Sequence, residues 1–328
     1  MSSTRRRLIN ILQQNQQSYI SGQRLADQLN ISRNAIWKHM RELENDGYMI
    51  EAAPRLGYRI IDVPNKVSEN TIKWGLKTDW LGKRIIHKRS VTSTQIIAHE
   101  LAQKGAEHGT VVIADEQTEG RGRMRRPWDS KNADGIWLSI ILRPKIPPFL
   151  APQLTLLTAT VLADLLKDET KIIPKIKWPN DLLIEERKIS GILTEMQAEQ
   201  DQVLYVIIGI GINVNQKMSD FKESVQQRAT SLYEETGQTW SRRQLIQQLL
   251  LKFEHSFAAY LGEGFANVKQ KWESYGFRMN EKINIKTINK SFASTFLGIA
   301  EDGALLIKGA SGEPEKLYSG EIEWFKQT

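Results

Sequence analysis

The stretch best suited to chemistry is the arginine loop (residues 115–128), which combines four arginines with two closely spaced glycines. Like charges repel, and an anionic ligand would relieve that repulsion because a guanidinium offers a planar fork of donors to phosphate or carboxylate. Glycine lets the backbone approach such a ligand closely. No Gly-Lys-Ser/Thr follows, and the third glycine of G-x-G-x-x-G is missing, so neither a Walker P-loop nor a Rossmann turn is predicted. Taken alone, the loop fits an anion site and a basic loop for nonspecific nucleic-acid contact equally well.

Four further motifs accompany this loop. They read Ser-Thr-Gln at 93–95, Lys-Trp-Pro-Asn-Asp at 177–181, Arg-Lys-Ile-Ser-Gly-Ile-Leu-Thr-Glu at 187–195 and Gly-Ile-Gly-Ile-Asn at 209–213. With the arginine loop they form five motifs in the order typical of bacterial biotin protein ligases, and the chain resembles that family over its whole length. Gln95 replaces the more common asparagine but keeps the amide, and Glu119 is a minor departure.

The resemblance implies a two-step reaction. Members of the family make biotinyl-5′-AMP from biotin and ATP with Mg²⁺, then pass biotin to a lysine of the biotin carboxyl carrier domain of biotin-dependent carboxylases. The first step brings a carboxylate against the α-phosphate, so it requires cationic donors and no protein nucleophile. Bifunctional members also repress biotin genes, which implies operator DNA as a partner, biotin as corepressor precursor and a homodimer that forms on adenylate binding.

Site residues are carried over from the matching motifs. The catalytic set would be Arg121, Arg123 and Lys188. Biotin would be bound by Ser93, Thr94, Gln95, Gln117, Gly120, Arg121, Gly122, Arg123 and Lys188. The nucleotide would meet Trp128, Asn180, Asn213 and Asn215. Asp181 would position the incoming lysine or the metal. No protein metal site is predicted, because the five histidines show no ligand spacing. Without the resemblance, Lys188 would read as a solvent-exposed cation at a hairpin.

The first sixty residues have the order of a winged helix-turn-helix: three short helices and then a β-hairpin. On the third helix, Ile36, Met40 and Leu43 share one face, and polar or cationic side chains occupy the other. Such a face suits the major groove of DNA. A small packing module with a solvated charged face is the alternative. The predicted DNA-binding residues are Ser21, Gln23, Ser32, Arg33, Asn34, Trp37, Lys38 and Arg41.

The fold class that follows is a multidomain α+β protein with three domains. Residues 1–63 form the winged helix, 64–275 a mixed-sheet catalytic domain and 276–328 a small SH3-like β barrel. Consecutive predicted strands with hairpin-sized gaps favour a mixed sheet over strict βαβ alternation. By the resemblance, the catalytic domain is similar to class II synthetase and lipoate ligase folds.

Composition restricts the location and the chemistry. The absence of cysteine excludes disulfides, thiolate zinc sites and a cysteine nucleophile. No long uninterrupted apolar run occurs, so no membrane partner is expected. The basic N-terminus continues into glutamines instead of an apolar stretch, so we expect a cytoplasmic protein. The net charge of +7 favours anionic partners.

Two other functions fit parts of this pattern. A lipoate-type ligase shares the adenylation chemistry but generally lacks the winged helix and the arginine loop. A repressor that senses a ligand without catalysis would not need Lys188 together with Arg121 and Arg123. Pyrophosphate release on adding biotin and ATP separates these cases.

Overall fold

A computed structural model describes residues 3–15, 17–287 and 290–323 of the chain. The fold consists of two compact units, residues 1–76 and residues 77–328. Parts of the predicted terminal domains (1–2, 16, 288–289 and 324–328) lie outside the described residues. The sequence-based limits at 63/64 and 275/276 stay predictions.

The first unit contains the three helices and the hairpin expected of a winged helix. Its elements are α1 (Ser3–Gln14), α2 (Gly22–Leu29), α3 (Arg33–Asn45), β1 (Met49–Ala53), β2 (Gly57–Asp62) and α4 (Glu69–Lys73). Ser21 and Ser32 cap α2 and α3 by accepting hydrogen bonds from the backbone N–H of Arg24 and Ala35. The predicted inner face of α3 is buried, which confirms the helical spacing.

One glycine fixes the hairpin against the helices within this unit. Ile20 and Tyr58 exchange two backbone hydrogen bonds of 3.0 and 2.9 Å. Gly57, at φ +116°, lies against this bridge, and a β-carbon there would come within 2.0 Å of the Ile20 carbonyl oxygen. Only glycine is compatible with this close approach.

The second unit is built on a seven-stranded mixed sheet. Its strands are β3 (Ile85–Val91), β4 (Thr110–Gln117), β5 (Ile136–Leu142), β6 (Lys175–Lys177), β7 (Asp181–Ile184), β8 (Arg187–Glu199) and β9 (Gln202–Ile212). Their order is β3-β4-β5-β9-β8-β7-β6, and only the β3–β4 pair is parallel. Every residue of β5 is buried, as expected for a central strand. The predicted mixed sheet is confirmed.

Helices complete this core. They are α5 (Thr94–Gln103), α6 (Ala151–Thr170), α7 (Glu223–Gln226), α8 (Leu232–Thr236), α9 (Arg242–Glu263) and α10 (Ala266–Tyr275). Residues 148–170, which include α6, are long and apolar enough by composition to span a membrane, but 72% of their most apolar window is buried inside the protein. Because α6 packs against α9, α10 and β8, it is a core helix.

A five-stranded antiparallel sheet follows within the same unit. Its strands are β10 (Lys282–Lys286), β11 (Ser291–Ile299), β12 (Leu305–Lys308), β13 (Pro314–Leu317) and β14 (Glu321–Glu323), in the order β13-β12-β11-β10-β14. The indole N–H of Trp178 donates to the Gly303 carbonyl at 3.3 Å, and the Gln153 amide donates to the Glu301 carbonyl at 2.7 Å. This sheet is therefore joined by hydrogen bonds to the core that is built on the seven-stranded sheet.

Candidate functional site

A single cleft in the second unit gathers residues that are far apart in the sequence. It is formed by the start of α5, the end of β4, the arginine loop, the β6–β7 turn, strands β8 and β9 and the start of β14. Ten of the predicted ligand residues line it: Ser93, Thr94, Gln95, Gln117, Arg121, Gly122, Arg123, Trp128, Asn180 and Lys188.

One end of the cleft, which we call the amide end, consists of buried neutral groups (Thr94, Gln95, Gln117 and Ser139). The side-chain oxygen Oε1 of Gln117 accepts from the Thr94 backbone N–H at 2.8 Å and from the Thr94 hydroxyl at 3.1 Å. The side-chain Nε2 of Gln117 donates to the Ser130 hydroxyl. The Ser139 hydroxyl donates to the side-chain oxygen Oε1 of Gln95 at 3.0 Å. Such an array suits an uncharged polar ring.

Glycines in the sheet make room above the strands for side chains of the site. Gly191 on β8 pairs with Gly211 on β9. A β-carbon on Gly211 would lie 2.7 to 2.9 Å from indole atoms of Trp128, and one on Gly209 would lie 2.6 Å from the Gln95 carbonyl oxygen. Any larger residue would therefore displace Trp128 or Gln95.

Two buried donors of the arginine loop have no hydrogen-bond partner among the described residues: the indole N–H of Trp128 and the Nε–H of Arg121. Buried donors are normally paired, because leaving one unpaired costs about 1–3 kcal/mol. Both residues line the cleft, so the arrangement leaves donors for a ligand to use.

Lys188 is held within the cleft. Its Nζ lies 2.7 Å from the Asp181 carboxylate and 5.0 Å from the centre of the Trp128 ring. Its backbone N–H donates to the Arg228 carbonyl at 2.8 Å, and its carbonyl accepts from the Thr230 N–H at 3.0 Å. The side chain is 27% exposed, which does not match a freely solvated hairpin lysine.

The opposite end of the cleft, the cationic end, is strongly positive. Its lining has five cations (Arg121, Arg123, Arg126, Lys177 and Lys188) and two carboxylates (Asp181 and Glu321). Burial lowers the pKa of Lys177 to about 8, although both carboxylates oppose the shift. Burial also lowers the pKa of the Arg123 guanidinium. Charged groups that are buried with like neighbours favour an anionic ligand.

Two contacts hold the arginine loop to the rest of this end. Arg123 Nη1 donates to the side-chain oxygen Oδ1 of Asn180 at 3.4 Å. Arg126 makes two hydrogen bonds, of 2.6 and 2.7 Å, to the two oxygens of Glu321 on β14. The loop is therefore fixed both to the turn between β6 and β7 of the seven-stranded sheet and to the five-stranded sheet.

The first unit presents the predicted DNA-binding residues on the outer side of α2 and α3. Five of these residues are exposed: Arg33, Asn34, Trp37, Lys38 and Arg41. The exposed fraction of Trp37 is 55%. The Arg41 guanidinium lies 5.6 Å from the centre of the Trp37 ring and contacts Glu44 at 3.1 Å. The hydroxyls of Ser21 and Ser32 act as helix caps, and the Gln23 amide donates to Asp27 at 2.8 Å.

Family profiles match three parts of the chain. The Biotin/lipoate A/B protein ligase family matches residues 87–213, an HTH domain matches 4–59 and the Biotin protein ligase C terminal domain matches 279–324. The Bifunctional ligase/repressor BirA of Bacillus subtilis is 46% identical over 98% of this chain and 99% of its own length. The chain belongs to the bifunctional ligase/repressor family.

More distant relatives of this family member agree with that assignment. The Bifunctional ligase/repressor BirA of Escherichia coli is 28% identical over 88% of each chain. The biotin protein ligase from Aquifex aeolicus, solved in complex with biotin and ATP, matches with a TM-score of 0.63 and 32% identity over 74% of this chain and 98% of that one.

Three predicted site residues do not line the cleft in this family member. Gly120 is a buried residue of the arginine loop, and a β-carbon there would come within 2.3 Å of the Ser130 hydroxyl. The Asn213 amide donates to the Thr230 carbonyl at 2.9 Å. The Asn215 amide donates to the Trp240 carbonyl, and its oxygen accepts from the Trp240 N–H. Both asparagine side chains thus stabilise the segments that follow β9, and their assignment to the nucleotide stays a prediction.

Sequence reasoning assigned no role to three residues that line the cleft, Ser139, Lys177 and Glu321, or to Ser130, whose hydroxyl accepts from Gln117. Lys177 lies within a quoted motif, and its position before a buried tryptophan was a usable signal. Ser139 and Glu321 had no local signal, because β5 reads as a plain apolar strand and Glu321 is one of 38 acidic residues.

Proposed function

We propose that this chain is a biotin protein ligase that forms biotinyl-5′-AMP from biotin and ATP with Mg²⁺ and transfers biotin to a lysine of a biotin carboxyl carrier domain. One observation carries the proposal: a single cleft joins the neutral amide end to the cationic end. The first suits the uncharged ring system of biotin, and the second suits a carboxylate held against a phosphate.

In this proposal the chemistry proceeds by two displacements. A carboxylate oxygen of biotin attacks the α-phosphorus of ATP, and pyrophosphate leaves. The carrier lysine then loses a proton to solvent and attacks the acyl carbon as the neutral amine, and AMP leaves. Lys188 and Arg123 neutralise the two anions during the first step. Asp181, 2.7 Å from Lys188, is suited to orient Lys188 and then to hold the incoming ammonium.

The experiment is pyrophosphate release from the purified chain with MgATP and either biotin, lipoate or octanoate. We expect release with biotin and only background with the other two acids. Release with lipoate or octanoate alone would favour a lipoate-type ligase. No release with any acid, combined with biotin binding, would favour a repressor that senses biotin without catalysis.

We further propose that the first unit binds operator DNA, that binding tightens when biotinyl-AMP is present and that the adenylate-bound chain is a homodimer in the cytoplasm. The exposed cations of α3 support the DNA contact. A two-fold protein on a palindromic site is the common arrangement for helix-turn-helix proteins. Since linkage is reciprocal, operator DNA must also tighten adenylate binding.

Truncation separates the two functions. Removing residues 1–63 should abolish operator binding and leave biotinylation of the carrier, because the first of the ligand motifs begins at Ser93. A second truncation that starts at Lys77 follows the limit of the compact unit and also removes α4. If both truncated chains fold but neither transfers biotin, the first unit supports the active site and the proposed independence is wrong.

A further inference from the structure

We propose that Glu195 is a positioning residue that holds Arg121 of the arginine loop close to the amide end of the cleft; the proposal rests on the proposed function. Glu195 lies on β8 and is not part of the cleft lining. It nevertheless contacts two residues that are, namely Arg121 and Gln95.

The geometry places one carboxylate oxygen between two nitrogen groups. Glu195 Oε2 lies 3.5 Å from Arg121 Nη2 and 3.2 Å from His99 Nε2. The other ring nitrogen of His99 lies 3.4 Å from the Tyr205 hydroxyl. The imidazole therefore bridges β9 to Glu195, and Glu195 in turn reaches the arginine loop.

The electrostatics favour an ionised Glu195. The hydrogen bond from His99 lowers the pKa of Glu195, and hydrogen bonding from Gln95 and the charge of Arg121 add to this effect against the opposing effect of burial. The side chains of His99, Glu195 and Arg121 are each about one-quarter to one-third exposed. A partly buried ion pair of this kind restricts the rotamers of a long arginine.

The same contacts explain why Arg121 differs from the other arginines of its loop. Arg126 contacts Glu321, and Arg123 contacts Asn180, both at the cationic end. Arg121 also belongs to the cationic lining, but its guanidinium pairs with Glu195, which interacts with Gln95 of the amide end. Its guanidinium is thus placed at the junction of the two ends, where the carboxylate-bearing tail of biotin would pass.

The test is steady-state kinetics of the full chain, with biotin and MgATP varied separately. Glu195→Gln keeps the shape but removes the charge. We expect the KM for biotin to rise about tenfold, as for the loss of one charge-assisted hydrogen bond, while the KM for MgATP stays within about twofold. Glu199→Gln is the matched control, since Glu199 lies on the same strand, four residues further, and is exposed.

A double-mutant cycle identifies the route of the effect. If Glu195 acts through Arg121, then Glu195→Gln should change the biotin KM less than about twofold in an Arg121→Ala background. His99→Leu should raise the biotin KM by about twofold to threefold, and His99→Gln, which retains a donor, should restore it. Restoration by glutamine is not expected of a merely structural histidine.

The outcomes are distinguishable. If wild-type protein releases no pyrophosphate with biotin and MgATP, the proposed function fails before this inference is tested. If wild-type protein is active, an unchanged biotin KM in Glu195→Gln overturns the inference. An equal effect in the presence and absence of Arg121, or a parallel rise of both KM values with a lowered Tm, also overturns it.

Discussion

The two ends of the cleft are built on opposite principles. At the amide end, Thr94, Gln95 and Gln117 are buried and hydrogen-bonded to one another or to neighbouring serines. At the cationic end, five cations face two carboxylates. In the first arrangement each of these side chains already has a hydrogen-bond partner within the protein. The second carries a charge of +3, the difference between five cations and two anions, and an anionic ligand would complete it.

This difference has consequences for stability. Substitution at the amide end leaves buried partners unpaired, so it should destabilise the fold. Substitution of a cation at the cationic end lowers the net repulsion there but also removes a contact such as Lys188–Asp181, so stability should change little while activity falls. Sites that bind ligands commonly trade stability for function in this way. Each of the following predictions tests whether the two ends differ as described.

The largest effect is expected at Lys188. Lys188→Ala should reduce biotinyl-AMP formation by about a thousandfold or more, since losing a cation that neutralises two anions in a desolvated site costs several kcal/mol. Single-turnover adenylation measures the loss, and chemical denaturation should show a free energy of unfolding within about 1 kcal/mol of the wild-type value. Near wild-type adenylation would refute the role of Lys188.

At the amide end, Gln117→Ala should lower the free energy of unfolding by about 1–3 kcal/mol, because the Thr94 N–H, the Thr94 hydroxyl and the Ser130 hydroxyl lose a buried partner. Urea titration gives this value. Gln197→Ala, at an exposed position of β8, is the control and should change stability little. A Gln117 variant as stable as the control would remove the contrast between the two ends.

Arg123 should affect retention of the intermediate more than its formation. Arg123→Gly removes the contact with Asn180 and a partly buried cation, so biotinyl-AMP should dissociate about tenfold faster, a change of about 1.4 kcal/mol. Filter-binding half-lives measure this, and released adenylate should label lysines of a bystander protein. Equal half-lives for variant and wild type would exclude this role for Arg123.

The smallest effect concerns pH. Because burial lowers the pKa of Lys177 to about 8, this lysine loses its charge in the ligand-free protein above that pH, and the KM for ATP should rise several-fold toward pH 9.5. Lys177→Arg stays charged and should flatten the profile. In the unfolded chain this lysine keeps its proton up to about pH 10.4. The free energy of unfolding should therefore rise as the pH increases from about 8 to about 10, because the folded protein has already released the proton. Lys177→Met should lack that gain.

Sequence alone predicted the elements whose periodicity is strong. The inner face of α3 agrees with the structure because burial sets the apolar spacing of Ile36, Met40 and Leu43. Ten of the site residues predicted from the motif resemblance line one cleft, and their roles there stay predictions. Glu195 and Glu321 were not assigned roles, since a carboxylate acquires its partner only through tertiary contacts that local sequence does not encode. Asn213 and Asn215 show the reverse: their motif is recognisable, but their amides are used for local backbone contacts.

The pairing of Arg126 with Glu321 has a consequence for the order in which the protein matures on the ribosome. The cleft draws on residues from Ser93 to Glu321, so it is completed only after β14 has been synthesised. Domains generally fold as they emerge, N-terminal first. The helix-turn-helix unit, complete by residue 76, should therefore reach its native structure while the ligase cleft still lacks its last wall. A nascent chain would pass through a stage with a folded DNA-facing unit and no adenylating site, and ribosome-arrested chains of increasing length would reveal it.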